Sequence, residues 1–361
     1  MIERVDQSRI DRVRKKRKKK WTIRVVSMVL VTLLGIGLYF GAQIWGAFAD
    51  SKTELSKSKL RGEQEVKIKE DPFTVLFIGT DQRKANSDDW RSDVLMVVAV
   101  NPKTNSAKVI SIPRDSYVKI ACTKRTKDKI THSSIWGHRT GYGPVECIRE
   151  TVENFLHIPI DYYARINFKG FEDIVDALGG VDVVVEKEFK QAMIGGKIAH
   201  FTPGPQHLSG PEALAYVRCR KGNACGNDFG RNQRQREVVS QLIDKIVSLD
   251  GVTKFGEITK ALGKNFEYSF DLTEMPSLMA VYKNIPKQNI ETLQGEYYDM
   301  KVGSSLVIGW RQESLEQVRA ALQQQLQFTP KQPLPADDHG QPGQETGESL
   351  DDGSGGIEDG E

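Results

Sequence analysis

The chain has 361 residues, of which 39% are apolar, 27% charged and 8% aromatic, and its formal net charge is +3. That length and composition exclude collagen-like, mini-protein and wholly disordered chains and leave room for one well-buried core. The charge is a sum of opposites: residues 1–24 net +8, residues 329–361 net −8, and the body between them is nearly balanced.

In chain order, the basic tail 1–24 carries an unbroken Lys/Arg run over residues 14–20. Residues 25–49 follow without a single charge. As a helix rising about 1.5 Å per residue this stretch crosses a hydrocarbon core of about 30 Å with some tilt. Trp21 and Trp45 stand near its ends, where amphipathic rings favour the interface. A polybasic flank stays cytoplasmic, so the segment reads as a single-pass signal anchor in the cell membrane with the rest of the chain outside. Three other readings compete less well. A cleaved signal peptide has an apolar core of only about 7–15 residues, and a buried helix would show a polar stripe. A nuclear-localisation or nucleic-acid patch explains the charge but not its position, so no nucleic-acid partner is expected.

Residues 50–70 are polar and read as an extracellular spacer or helical stalk. Residues 71–328 form the folded domain, and 329–361, rich in Pro, Gly, Gln and acid, cannot bury enough surface to fold. Within the domain, residues 74–78, 94–100 and 108–112 are short apolar runs of strand type. Near-continuous apolar strands predict a sheet covered on both faces. Helices are predicted at 145–156 after Pro144, at 168–178 capped by Asn167, after the capping-box pattern Ser209…Glu212, at 232–248 and at 313–326. A strand follows Gly179 at 181–185. The fold class is α/β: a three-layer α/β/α sandwich with a central mixed sheet, preceded by one transmembrane helix.

Cys122, Cys147, Cys219 and Cys225 all lie beyond the apolar segment, in what should be an oxidising compartment, and are not spaced as a zinc site. Of three connectivities, proximity in sequence favours Cys122–Cys147 with Cys219–Cys225, against free thiols. The histidines show no HxH or HExxH pattern, the glycines no phosphate-binding loop, and Ser209 serves better as a cap than as a nucleophile.

Two constellations carry chemistry. Asp81 and Asp93 sit at strand boundaries, and if those strands pair as antiparallel neighbours both carboxylates lie at one end of the sheet. Arg83, Arg91, Arg114 and Asp115 fall on the same loops, a poor core and a good polar site. Between Arg218 and Arg236 stand six bases (these two with Arg220, Lys221, Arg231 and Arg234) against Asp228 alone. With a helix starting at 232, Arg231 and Arg234 fall where the macrodipole disfavours cations, and a bound anion would relieve them. Two carboxylates suit Mg²⁺, which completes its shell with water and phosphate oxygens. Together they predict phosphoryl chemistry on a polyphosphate or pyrophosphate. Structural salt bridges are the competing explanation.

The strings Val75-Leu-Phe-Ile-Gly-Thr-Asp-Gln-Arg83, Arg91-Ser-Asp93, Ser111-Ile-Pro-Arg-Asp115 and Asp228-Phe-Gly-Arg-Asn-Gln-Arg-Gln235 resemble the LytR-CpsA-Psr family, strongly over residues 74–250 and more weakly to 328. The resemblance implies a Mg²⁺-dependent, membrane-anchored phosphotransferase of cell-wall biogenesis. It would move a glycopolymer such as teichoic acid from a polyprenyl-pyrophosphate carrier onto a peptidoglycan hydroxyl. It places Mg²⁺ on Asp81 and Asp93, and the pyrophosphate among Arg83, Arg114, Arg218, Arg220 and Arg231 beside Gln235. It also implies a hydrophobic channel for the polyprenyl tail within the sandwich. Arg114 is the catalytic candidate, with Asp93 or Asp115 as the base for the acceptor. The stretch Lys129-Ile-Thr-His132-Ser-Ser-Ile-Trp136 matches the family loosely, and His132 receives no role. A polyprenyl-pyrophosphate hydrolase and a non-enzymatic membrane-tethered regulator remain as alternatives.

Overall fold

The computed structural model describes residues 55–330, apart from 63, 83–89, 125, 221, 223, 249–257 and 259–261. The expected basic tail, transmembrane helix and almost all of the acidic tail lie outside the described residues, as does Arg83. Among the described residues no helix is long and apolar enough to cross a membrane.

The strands β1 (Phe73–Thr80), β2 (Ser92–Asn101) and β3 (Ser106–Ile112) form an antiparallel meander. A short ribbon of β4 (Tyr117–Lys119) and β5 (Lys127–Lys129) precedes helices α1 (Ser133–Arg139) and α2 (Pro144–Leu156). β6 (Tyr162–Asn167) then pairs in parallel with the free edge of β1. After it come α3 (Phe168–Ala177), β7 (Val181–Val185), the hairpin β8 (Phe189–Ala192) and β9 (Ile198–Phe201), and β10 (Gly204–Leu208). Next are α4 (Gly210–Arg218), α5 (Asn227–Val247), β11 (Phe266–Tyr268), α6 (Met275–Asn284) and β12 (Ile290–Leu293). The hairpin β13 (Tyr297–Val302) and β14 (Ser305–Trp310) leads into α7 (Gln312–Leu326). The central sheet has the order β11-β6-β1-β2-β3-β12 and mixes parallel with antiparallel pairs. The run 181–185 is a strand as predicted, but it pairs with β10 outside that sheet.

Local chemistry sets the helix ends. Pro144 opens α2, and the Asn167 side chain accepts a hydrogen bond from the Gly170 N–H at the start of α3. The Glu212 carboxylate accepts from both the N–H and the hydroxyl of Ser209. α5 departs from expectation. It begins at Asn227, after Gly226 in the left-handed region (φ 64°), five residues earlier than the apolar period suggested. Only Gly tolerates that backbone freely, so it sets the boundary. Arg231 and Arg234 therefore stand beyond the first turn, and their clash with the macrodipole is weaker than a start at 232 implies.

One face of the central sheet is packed solid. Leu76, Ile78, Leu95, Val97, Ala99 and Ile110 meet Ile148, Val152 and Phe155 of α2 and Leu315, Val318 and Leu322 of α7. Both expected disulfides, Cys122–Cys147 and Cys219–Cys225, are formed. The first ties the segment after β4 to α2. The stretch expected as a spacer is, from Leu55 on, a strap laid along α2. Ser56 donates its N–H and hydroxyl to Glu146 (2.8 and 3.0 Å), Lys59 meets Glu150, and Arg61 grips Asp161 with two bonds of 2.8 Å. Leu55, Val66 and Ile68 add apolar contacts, but they are too sparse to form a stripe, and charge carries most of the docking along α2.

Candidate active site

Antiparallel pairing of β1 with β2 brings Asp81 and Asp93 to the same end of the sheet. The register there slips: Gly79 pairs with Val94 but Thr80 with Ser92, so Asp93 is the extra residue of a β-bulge inside β2. Strict alternation would put Asp93 on the packed face with Leu95 and Val97. The bulge re-aims it, and it lines the cavity on the opposite face together with Val94 and Met96. Gly79 permits the crossing, since a Cβ there would stand 2.9 Å from the Cβ of Val94. Asp81 is held from across the strands by the Arg91 N–H, 2.7 Å from its Oδ1.

Arg114, at the end of β3, donates to Asp93 Oδ1 at 2.7 Å, and its Nε lies 3.5 Å from Asp115 Oδ2. Asp115 also accepts from Lys129 Nζ at 2.8 Å and lies 4.0 Å from Arg220. Burial pushes the Asp115 carboxyl up, but the Lys129 ammonium, with Arg114 and Arg220, outweighs it and holds the pKa below the ordinary carboxylate value. Asp115 thus stays ionised and joins the β3 end to the α4–α5 loop. Lys129 gave no separate signal in the sequence, because its partner is 14 residues away across a turn.

Arg218, Arg220, Arg231, Gln235 and Arg236 come to the same rim as Asp93 and Arg114. The Arg218 guanidinium lies over the Phe168 ring, 5.0 Å from its centre. Arg234 does not belong to this group. It donates to the carbonyls of Tyr216, Cys219 and Cys225 (3.1, 2.6 and 2.8 Å) and stacks near Phe189 and Tyr216. It clasps the disulfide loop, so the six-base cluster is partly structural. Arg91 stands exposed beside the rim. A second group that sequence reading missed is Arg165. It bonds Gln82 and Glu267, and its guanidinium lies 4.7 Å from the Trp90 ring centre, bracing the chain on either side of residues 83–89.

Asp81 and Asp93 are hard oxygen donors, and each keeps one oxygen without a hydrogen bond among the described residues. No cluster of three or more His, Cys, Asp or Glu gathers among the described residues. This set is too small for a protein cage but fits an ion such as Mg²⁺ that retains water and takes phosphate oxygens.

Below the rim the second face of the sheet is not packed solid. Phe73, Val75, Phe77, Met96, Val98 and Val109 floor a cavity of about 970 Å³, roofed by α5 and α6 through residues such as Leu242, Ile246, Leu278 and Val281. The apolar strands alternate as sheets do, but half of their apolar residues face a ligand-sized space rather than a core. Sequence alone could not separate the two cases.

The domain thus combines an α/β sandwich with an apolar cavity under an arginine-rimmed mouth. The chain belongs to the LytR_cpsA_psr family, whose model matches residues 39–324. It is 36% identical over 312 residues to the polyisoprenyl-teichoic acid–peptidoglycan teichoic acid transferase TagV of Bacillus subtilis (strain 168), covering 84% of this chain and 78% of that one. To TagU of Bacillus anthracis, of the same named activity, it is 38% identical over 282 residues, 77% of this chain and 88% of the relative. The crystal structure of B. subtilis TagV matches with a TM-score of 0.62 at 36% identity, over 73% of this chain and all of that one. The family protein YwtF (TagT) with bound octaprenyl pyrophosphate lipid matches with a TM-score of 0.59 at 31% identity, over 76% of this chain and all of that one.

Proposed function

We propose that this chain is a membrane-anchored phosphotransferase that moves an anionic cell-wall glycopolymer from a polyprenyl-pyrophosphate carrier to a sugar hydroxyl of peptidoglycan. One observation carries the reading: Arg114, Arg218, Arg220 and Arg231 share the mouth of a cavity whose depths are apolar. The named activity of the TagU and TagV relatives supports it. The acceptor oxygen attacks the phosphorus that bears the glycan, the bond from that phosphorus to the bridging oxygen breaks, and polyprenyl phosphate leaves. Guanidinium groups suit this step because they pair in a planar, bidentate way with phosphate oxygens and stay charged.

Mg²⁺ held by Asp81 and Asp93 would offset charge on the phosphate oxygens. Asp115, surrounded by three bases, makes a weak base. Phosphoryl transfer through a loose transition state asks little of one, and the hydroxyl proton departs late, to water. The test is transfer of polymer from a lipid-linked donor to an added peptidoglycan acceptor. Arg114→Ala and Arg218→Ala should each lower the rate by roughly 10²–10³ while remaining folded, the usual loss for a removed charge-stabilising donor. Near-normal transfer in both sinks the assignment. Release of carrier without conjugate identifies a hydrolase instead. Chelation should abolish transfer and Mg²⁺ restore it, with calorimetric Mg²⁺ binding lost in Asp81→Asn.

A further inference from the structure

The strap along α2 has a direction. β1 and β6 run in parallel and both end at the mouth, where Thr80 and Asn167 line the cavity. α2 reaches β6 through the short link 157–161, and the Pro159 carbonyl accepts from the Thr74 hydroxyl near the start of β1 (2.7 Å). The C-terminus of α2 is therefore at the end of the sheet away from the mouth. Its N-terminus points back toward the mouth, following α1, whose Ser134 hydroxyl donates to the Trp90 carbonyl (2.7 Å). The strap contacts α2 in the same order, Ser56 on Glu146, Lys59 on Glu150, and then Arg61 on Asp161 beyond its C-terminus. The chain thus enters the domain at the mouth end and runs away from it.

Only residues 50–54 separate the end of the apolar segment from Leu55, which packs on the core. Six Cα steps reach about 20 Å at full stretch, and a flexible chain of that length spans about 13 Å on average. α2 alone is about 20 Å long. Setting the opposite end of the domain on the bilayer would place most of that helix, plus the turns below it, between Leu55 and the membrane. The leash would have to be fully stretched. With the mouth end down it needs no stretching.

The mouth end also carries the charge for such a contact. Residues 117–142 hold six Lys or Arg against Asp128 alone. Lys119, Lys124 and Arg139 are exposed, Arg139 stands 5.7 Å from the Trp136 ring centre, and Tyr142 is 41% exposed. This segment is tied to α2 by Cys122–Cys147, and the strap's Lys59 lies 3.4 Å from the Tyr142 hydroxyl. Basic side chains beside amphipathic rings suit an anionic headgroup layer.

The geometry points to a docked orientation: the short leash and the basic face at 117–142 hold the cavity mouth against the anionic phospholipid surface that anchors the chain. A carrier lipid would then bring its pyrophosphate to the arginine rim without leaving the headgroup layer. The inference rests on the membrane-anchored reading above, so its test reads geometry rather than transfer. The full chain is reconstituted in phosphatidylglycerol-containing vesicles, and co-flotation reports anchoring. A fluorophore is placed at Thr140, on the basic face, or at Thr104, in the β2–β3 turn at the far end of the sheet, and quenched by an acceptor on the lipid headgroups.

Quenching several-fold stronger at 140 than at 104 is the expected result. Equal or reversed quenching in co-floating protein overturns the orientation while leaving the transferase reading intact. Protein that does not float removes the anchor and the inference with it. Lengthening the leash by about twenty Gly/Ser residues after Ser51, which raises its full reach to roughly 90 Å, should shrink the difference. The triple variant Lys119→Glu, Lys124→Glu, Arg139→Glu should shrink it as well. Should that variant keep the full difference yet lose retention on isolated anionic wall polymer, the basic face serves the polymer and the headgroup contact is overturned.

Discussion

Asp115 illustrates how one carboxylate ties together a cluster of bases, since Lys129, Arg114 and Arg220 all converge on it. Its folded pKa lies below the unfolded value because Lys129, Arg114 and Arg220 surround it. A depressed carboxylate adds stability that is present above its unfolded pKa of about 3.9 and is lost as pH falls through the folded value. Asp115→Asn should therefore unfold at lower denaturant than the parent at pH 7. The gap should begin to narrow below the unfolded value of about 3.9 and close as the pH falls through the lower folded value. A gap that persists unchanged to pH 3 in urea titrations would show that the ion pairs are not its source. The aspartates and the rim arginines were legible as residue types at strand and helix boundaries. Their partners were not, because Lys129 and Asp115 meet only after β4 and β5 have folded back.

The α4–α5 connection shows the same division. Sequence spacing marked a dense run of bases there but could not say which ones face a ligand. The structure turns Arg218, Arg220, Arg231 and Arg236 to the rim and commits Arg234 to three backbone carbonyls of the loop. Arg234→Leu leaves those carbonyls without their charged donor and should cost roughly 1–3 kcal/mol. Because the loop carries Arg220, transfer should fall as well, through misplacement rather than loss of a contact with phosphate. Denaturant midpoints, together with the affinity of the variant for a soluble prenyl pyrophosphate, check both effects. The early start of α5 has a comparable cause. A left-handed Gly226 ends the preceding loop, whereas apolar periodicity marks only the part of the helix that is buried.

For the domain as a body, the decisive feature is that its two apolar sheet faces meet different neighbours. One packs against α2 and α7, and the other floors the cavity beneath α5 and α6. A floor residue should therefore tolerate enlargement better than a packed one. Val98→Trp should fold, with space to take the added ring, and should hold an added long-chain prenyl pyrophosphate more weakly than the parent, as read by mass spectrometry of the complex. The same change at Val97, on the packed face, should destabilise by roughly 1–3 kcal/mol or more through overpacking. If Val98→Trp holds that lipid as tightly as the parent does, the cavity is not the tail's site.

Much of this was legible in the sequence: the α/β class, the helix caps, the favoured disulfide pairing, and the aspartates at one end of a sheet once their strands are taken as antiparallel neighbours. Each depends on spacing, local backbone chemistry or adjacency of neighbouring strands. Only the tertiary structure decided that Asp93 turns through a bulge to the cavity face, that Arg234 is a clasp, and that residues 55–61 strap α2. It also decided that half of the apolar residues in the strands enclose a space. These outcomes depend on which surfaces meet across long separations in the chain. An apolar side chain reads the same in sequence whether its neighbour is a leucine or a lipid.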